Sequence, residues 1–289
     1  MSTLTENVAK VTAAHAALKT AIAAKGVAVP EGAKLSDMPA LVDEIQAMPE
    51  TSRRAVFAYD TATNLVVQNK FVVDMTTEEN LGGLFSHCFS LTSLTLPAGF
   101  GQSATRLRDC FDNCSRLTSL TLPVGFGQNA VDIYECFNSC QRLTSLTLPV
   151  GFGQNATNLY NCFSRCSSLT SLTLPAGFGQ NATNIVYCFY GCSSLTSLTL
   201  PAGFGSNATS ASDCFVNCKA LTDITGNPNF KVSVSLASSP NLTHDSLMVV
   251  INGLQTVTTT QTLTLGTANL AKLTDEEKKV ATDKGWTLA

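Results

Sequence analysis

Charge is scarce in this sequence: Asp, Glu, Lys and Arg together make up 13% of 289 residues, about half the share usual for a soluble domain. The net charge is −3 and no basic stretch stands out, which excludes nucleic acid as a partner. Histidine occurs three times, at His15, His87 and His244, too scattered to supply a base or a zinc site. G-x-S-x-G, H-E-x-x-H and phosphate-loop motifs are all missing, so the chain reads as non-enzymatic, with no metal and no cofactor. No apolar run reaches the ~18 residues of a membrane span, so membrane insertion is not expected. The start, Met1-Ser-Thr-Leu-Thr-Glu, lacks the basic and apolar blocks of a secretory signal.

What the sequence has is repetition. A Pro-Xaa-Gly-Phe-Gly turn begins at Pro97, Pro123, Pro149, Pro175 and Pro201, always 26 residues apart. The leucine opening each unit recurs at Leu91, Leu117, Leu143, Leu169, Leu195 and Leu221. A fixed period of this length marks a stacked-repeat solenoid. Within a unit, Thr92-Ser-Leu-Thr-Leu96 alternates polar and apolar, as a half-buried strand does. Leu107, Cys110, Phe111, Cys114 and Leu117 then fall at spacings of three, four and seven, which predicts a short helix. The expected fold is an α/β solenoid, a leucine-rich-repeat-like stack of strand, turn and short helix, with an α-helical N-terminal segment and an α/β C-terminal cap. The expected organisation is a helical docking and oligomerisation segment (1–50), a β-rich N-terminal cap (51–80), about six repeats (81–226) and a C-terminal cap (227–289).

Eleven cysteines form two ladders of the same period: Cys88, Cys114, Cys140, Cys166, Cys192 and Cys218, and Cys110, Cys136, Cys162, Cys188 and Cys214. Leu84 fills the slot of the missing twelfth. A slot that accepts Leu is a packing site, and two cysteines four apart on a helix are poorly aimed for a disulfide. All eleven are expected to be reduced core thiols.

Residues 1–25 place Leu4, Val8, Val11, His15, Leu18 and Ile22 on one heptad seam. This predicts either self-association or packing on a second helix at about 36–47, and the two are compatible. Strand-like runs follow at 55–59, 65–67 and 71–74. The strand positions Ser93 and Thr95 barely change between units, whereas the helix-face positions diversify: Arg108 becomes Tyr134 and Tyr160, Asp109 becomes Tyr187, and Asp112 becomes Tyr190. Tyr134, Tyr160, Tyr187 and Tyr190 are the candidate ligand contacts, set against simple drift of exposed positions. The Ser/Thr rows either bind glycan hydroxyls or form cross-strand ladders. In Asn155-Ala-Thr and its copies, Asn and Thr are expected to cap the following helix. After Gly226, a capped helix up to Gly253, a strand at Gln261-Thr-Leu-Thr-Leu and a capping box at Thr274-Asp-Glu-Glu277 outline the end.

Cys-Phe-Xaa-Xaa-Cys-Ser-Ser-Leu-Thr-Ser-Leu at 162–172 and 188–198 resembles the BspA-like leucine-rich repeats of microbial surface proteins, over about residues 80–225. The period of 26 and the Pro-Ala-Gly-Phe-Gly turn depart from the commonest form of that family. The tail, with Leu-Thr-His-Asp-Ser-Leu-Met-Val-Val-Ile-Asn-Gly-Leu and Lys-Gly-Trp-Thr-Leu, is similar to the ends of such proteins in gut bacteria and their phages. The first 50 residues, with Gly-Val-Ala-Val-Pro-Glu-Gly-Ala-Lys-Leu-Ser-Asp-Met-Pro, resemble the amino-terminal segment of phage tail and fibre proteins. These resemblances imply a bacteriophage virion protein, of tail, fibre or head-fibre type, released by lysis without an export signal. They imply other virion proteins as partners, a host surface protein or glycan as ligand, and a homo-oligomer, with a trimer favoured. A bacterial surface adhesin or interaction module and a passive virion spacer are the competing readings.

Overall fold

The computed structural model describes residues 78–289 apart from Pro97, and two short strands before them. The chain forms two compact units, 1–73 and 74–289. In the first, β1 (Ala58–Tyr59) pairs antiparallel with β2 (Val66–Val67), within two of the three expected runs. The expected helix and its seam, Leu4, Val8, Val11, His15, Leu18 and Ile22, lie outside the described residues, as does the run at 71–74.

The second unit is a stack of coils. Asn80, Arg106, Asp132, Asn158, Asn184 and Ser210 bridge one another in parallel, each opening a coil. The strands β3 (Ser93–Thr95), β4 (Ser119–Thr121), β5 (Ser171–Thr173), β6 (Ser197–Leu200) and β7 (Asp223–Gly226) lie parallel. Ser pairs with Ser and Thr with Thr between β3 and β4 and between β5 and β6, so the register equals the sequence period. Leu94, Leu120, Leu172 and Leu198 point inward, because alternate strand residues face opposite sides. In the third coil the strand is reduced to a bridge from Ser145 to Ser171. The strand-side bond that Thr118 N makes to Thr92 O (2.8 Å) has no counterpart between the second and third coils, whose sheets are separate.

The segment predicted as a short helix is instead a run of turns in every coil. Cys110 N bonds Leu107 O and Cys114 N bonds Phe111 O, each closing a four-residue turn. The third residues, Asp109 (φ 56°) and Asn113 (φ 55°), have the positive φ of a type II turn. The intervening amides reach across to the next coil: Leu107 N to Asp132 O, Asp109 N to Tyr134 O and Phe111 N to Cys136 O, all at 2.8 Å. A helix would turn all its amides along its own axis. This arrangement uses alternate ones to tie coil to coil, each bond contributing roughly 0.5–1.5 kcal/mol. Turns closing every four residues place Leu107, Cys110, Phe111 and Cys114 inward at spacings that mimic a helix face. Asp, Asn, Ser and Gly dominate the positive-φ positions, as their tolerance of that conformation requires.

The helix-capping role expected for the Asn-Ala-Thr copies falls with the helix. Asn155 Nδ2 donates to Gln128 O (3.1 Å), and Thr157 Oγ1 donates to Val131 O (3.4 Å). Both side chains therefore brace the preceding coil.

Two phenylalanine columns run through the core. Phe85, Phe111, Phe137, Phe163, Phe189 and Phe215 stack with centroids 5.1–5.7 Å apart. Phe100, Phe126, Phe152, Phe178 and Phe204 stack at 6.2–6.5 Å. Phe230 ends both, edge-on to Phe204 at 5.9 Å and to Phe215 at 6.3 Å.

Beyond it, β8 (Val234–Ser235), β9 (Gln261–Thr264) and β10 (Trp286–Leu288) form a further parallel sheet, with β9 in the middle. Helix α1 (His244–Asn252) is capped by Thr243, α2 (Gly266–Leu270) follows β9, and α3 (Asp275–Asp283) opens with the Thr274–Glu277 capping box. Trp286 is buried and its indole donates to Gln255 O at 2.8 Å.

Candidate recognition surface

The outer edge of the turn segments brings the four tyrosines into one strip. Because register equals period, residues 26 apart in sequence become neighbours on adjacent coils. Tyr134 and Tyr160 therefore lie face to face, 5.1 Å between centroids and 8° from parallel. Tyr187 meets Tyr160 edge-on at 5.8 Å, and Tyr190 meets Tyr187 edge-on at 5.4 Å. All four are half-buried, packed enough to be held and open enough to be touched.

Arg108 extends the strip. Its guanidinium sits 4.3 Å above the Tyr134 ring, a cation–π contact, while Nε pairs with Asp109 at 3.5 Å. Arg108 holds the repeat position of Tyr134 and Tyr160, and that equivalence was the signal in the sequence that it belongs with them. Carboxylates line the strip as well. Desolvation, then the hydrogen bond to Glu135, pushes the Tyr134 phenol up to about 12. The charge of Asp213, then desolvation, raises Tyr187. Desolvation also raises Asp109, with Glu135 adding to it, and its Oδ1 is buried without a hydrogen-bond partner. The strip is thus a row of phenols among carboxylates, closed at one end by an arginine.

The strand face is chemically different. Ser93, Thr95, Ser119, Thr121, Ser145, Thr147, Ser171 and Thr173 are exposed. Among the described residues, one hydroxyl pair of these rows bonds across strands, Thr199 with Thr225 at 2.9 Å. The true hydroxyl ladder lies one residue earlier, where Thr118, Thr170, Thr196 and Thr222 donate to the preceding coil's threonine carbonyl at 2.9–3.3 Å.

All eleven cysteines are free thiols; ten are buried, and Cys88 is half-buried. Cys114, Cys140, Cys166, Cys192 and Cys218 donate to the phenylalanine carbonyl 29 residues earlier, at 3.1–3.3 Å. Burial pushes Cys166 and Cys218 up to about 12. No group of three or more His, Cys, Asp or Glu among the described residues is placed to hold a metal ion. No described helix is long and apolar enough to cross a membrane.

The chain matches the BspA type leucine rich repeat region in six copies, over residues 69–149 and 107–236. That is more than half of its length, and the chain belongs to this family: it is a leucine-rich-repeat protein. Among solved structures it is similar to a leucine-rich repeat protein of T. pallidum, at 19% identity over 72% of this chain and 77% of that one, with a TM-score of 0.42. A leucine-rich cell surface protein of Faecalibacterium prausnitzii is 16% identical over 52% of this chain and 63% of that one, with a TM-score of 0.21. A leucine-rich repeat protein of Bacteroides ovatus is 14% identical over 72% and 86%, with a TM-score of 0.20. No curated protein matches the chain.

Proposed function

We propose that the chain is a non-enzymatic bacteriophage virion protein, of tail, fibre or head-fibre type, whose solenoid presents the tyrosine strip to the host surface. Residues 1–50 dock on other virion proteins and assemble the chain into a homo-oligomer, with three copies favoured. The observation that carries the recognition role is the continuity of Arg108, Tyr134, Tyr160, Tyr187 and Tyr190 across four adjacent coils. Tyrosine and arginine are the residues that most often dominate binding energy at interfaces. A passive spacer needs no such row on its outer edge.

The ligand class follows from how the rings are used. Arg108 and Tyr160 both contact the Tyr134 ring, so the strip offers edges, hydroxyls and flanking carboxylates more than open ring faces. That favours a protein surface over a sugar stacked on an aromatic plane. The family match favours a second reading, a bacterial surface adhesin using the same strip. Peptide mass spectrometry of purified virions against host envelope fractions separates the two locations. Recognition itself is tested by alanine at all four tyrosines: host adsorption is expected to fall at least about tenfold, since one such anchor contributes ~1–2 kcal/mol. Unchanged adsorption sinks the proposal.

A further inference from the structure

One thiol pair differs from the rest of the ladder. Phe85 N donates to Cys110 O and His87 N donates to Asp112 O, both at 2.8 Å, which holds the first coil in register with the second. Cys88 is thereby set beside Cys114, at the roughly 4.8 Å spacing of neighbouring strands, inside the ~4.4–6.8 Å range of Cα separations that a disulfide spans. Every other neighbouring pair of this ladder is buried on both sides, whereas Cys88 is half-open to solvent.

We propose that Cys88 and Cys114 form an oxidisable pair, Cys88 receiving a small-molecule disulfide and Cys114 resolving it into a bond that staples the first two coils. The neighbouring Cys114 thiol draws Cys88 down to about 7, while Cys114 itself is pushed up. A large share of Cys88 is therefore thiolate at neutral pH, and the thiolate is the attacking species. Its sulfur attacks one sulfur of a disulfide such as oxidised glutathione. A Cys88–glutathione bond forms, the S–S bond of the oxidant breaks, and one glutathione thiolate leaves and takes up a proton. The Cys114 sulfur, losing its own proton to solvent or to the departing thiolate, then attacks the Cys88 sulfur and expels the second glutathione. Two protein thiols are oxidised and one glutathione disulfide is reduced to two thiols.

The product closes a 26-residue loop and joins the first two described coils. It would form in an oxidising medium outside the cell and stay open in a reducing cytoplasm. The other nine thiols lack both the access and the low proton affinity to compete.

The full chain is incubated with oxidised glutathione at neutral pH, quenched in acid, and mapped by mass spectrometry without reduction. The expected product has lost two hydrogens and carries a single Cys88–Cys114 cross-linked peptide. Cys114→Ser is expected to accumulate glutathione on Cys88, and Cys88→Ser to take up none. In wild type, alkylation of Cys88 should rise with pH around a midpoint near 7. A wild-type chain that keeps glutathione on Cys88 without closing to Cys114 overturns the proposal. So does one that leaves Cys88 unmodified, or one oxidised at the buried rungs as readily as at Cys88.

Discussion

Gly125 and Gly127 stand two residues apart in one turn, both at positive φ (83° and 67°), yet they are held by different forces. A Cβ on Gly127 would lie 2.6 Å from Cδ2 of Phe152, a ring of the core column. On Gly125 its nearest neighbour would be Cβ of Gln102 at 3.6 Å, an ordinary contact. Gly127→Ala adds a steric clash to the backbone strain and is expected to destabilise by ~2–5 kcal/mol. Gly125→Ala carries the strain alone, ~1–2 kcal/mol. Thermal unfolding of the two variants checks the order, and equal losses would contradict the packing described. Arg108 is the other instructive residue. Read singly it was one more variable position, but read in register it is the cation on Tyr134.

At the scale of elements, the strands, the capped helix α1 and the capping box of α3 were legible in the sequence. Their signals are local: period-two alternation, Thr243 before the apolar run, and Thr274 three residues before Glu277. The turn segments were misread because spacings of three, four and seven arise equally from a helix and from turns closing every four residues. Positive φ at Asp109, Glu135, Asn161 and Tyr187 leaves no trace in hydrophobic periodicity, and a tyrosine there argues against it. Those positions adopt it because amides two residues apart bond the next coil. That cause is non-local and lies in the period itself. A helix reading also hid the part played by Asn155, Asn181 and Asn207, whose amides donate to the glutamine carbonyls Gln128, Gln154 and Gln180 of the preceding coil.

The C-terminal cap carries a prediction in pH. His244 Nε2 and Glu277 Oε1 are 2.8 Å apart, joining α1 to α3. The hydrogen bond to Glu277 raises His244 above 6.5, and backbone bonding at Thr274, then His244, lowers Glu277 below 4.5. A raised histidine stabilises fully below its unfolded value, and the gain is lost as pH rises through the folded value. A lowered carboxylate stabilises above its unfolded value, and the gain is lost as pH falls through the folded one. The pair therefore supports the cap best between about 4.5 and 6.5. The difference in Tm between wild type and His244→Gln should be largest there and shrink toward alkaline pH. A difference independent of pH would mean the ion pair contributes nothing.

On the scale of the whole molecule, the coils stand or fall together. Each buries its Phe, Leu and Cys only against the next, so stability is a sum over joints. Phe137→Ala opens a cavity in the middle of a column and is expected to cost about 3–5 kcal/mol, read by calorimetry. The joint between the second and third coils lacks strand-side pairing yet keeps its turn-side ladder through Leu107 N to Asp132 O, Asp109 N to Tyr134 O and Phe111 N to Cys136 O. The turn side is thus the continuous spine, and the tyrosine strip is mounted on it.

That placement leads to the most direct test of the recognition role. Purified full-length chain is titrated onto host cells with two variants: Tyr134, Tyr160, Tyr187 and Tyr190 all to Ala, and Ser119, Thr121, Ser171 and Thr173 all to Ala. The tyrosine variant is expected to lose at least about tenfold in Kd while the strand-face variant binds as wild type does. The reverse result, loss on the strand face with the tyrosines dispensable, would contradict the account and move recognition to the hydroxyl rows.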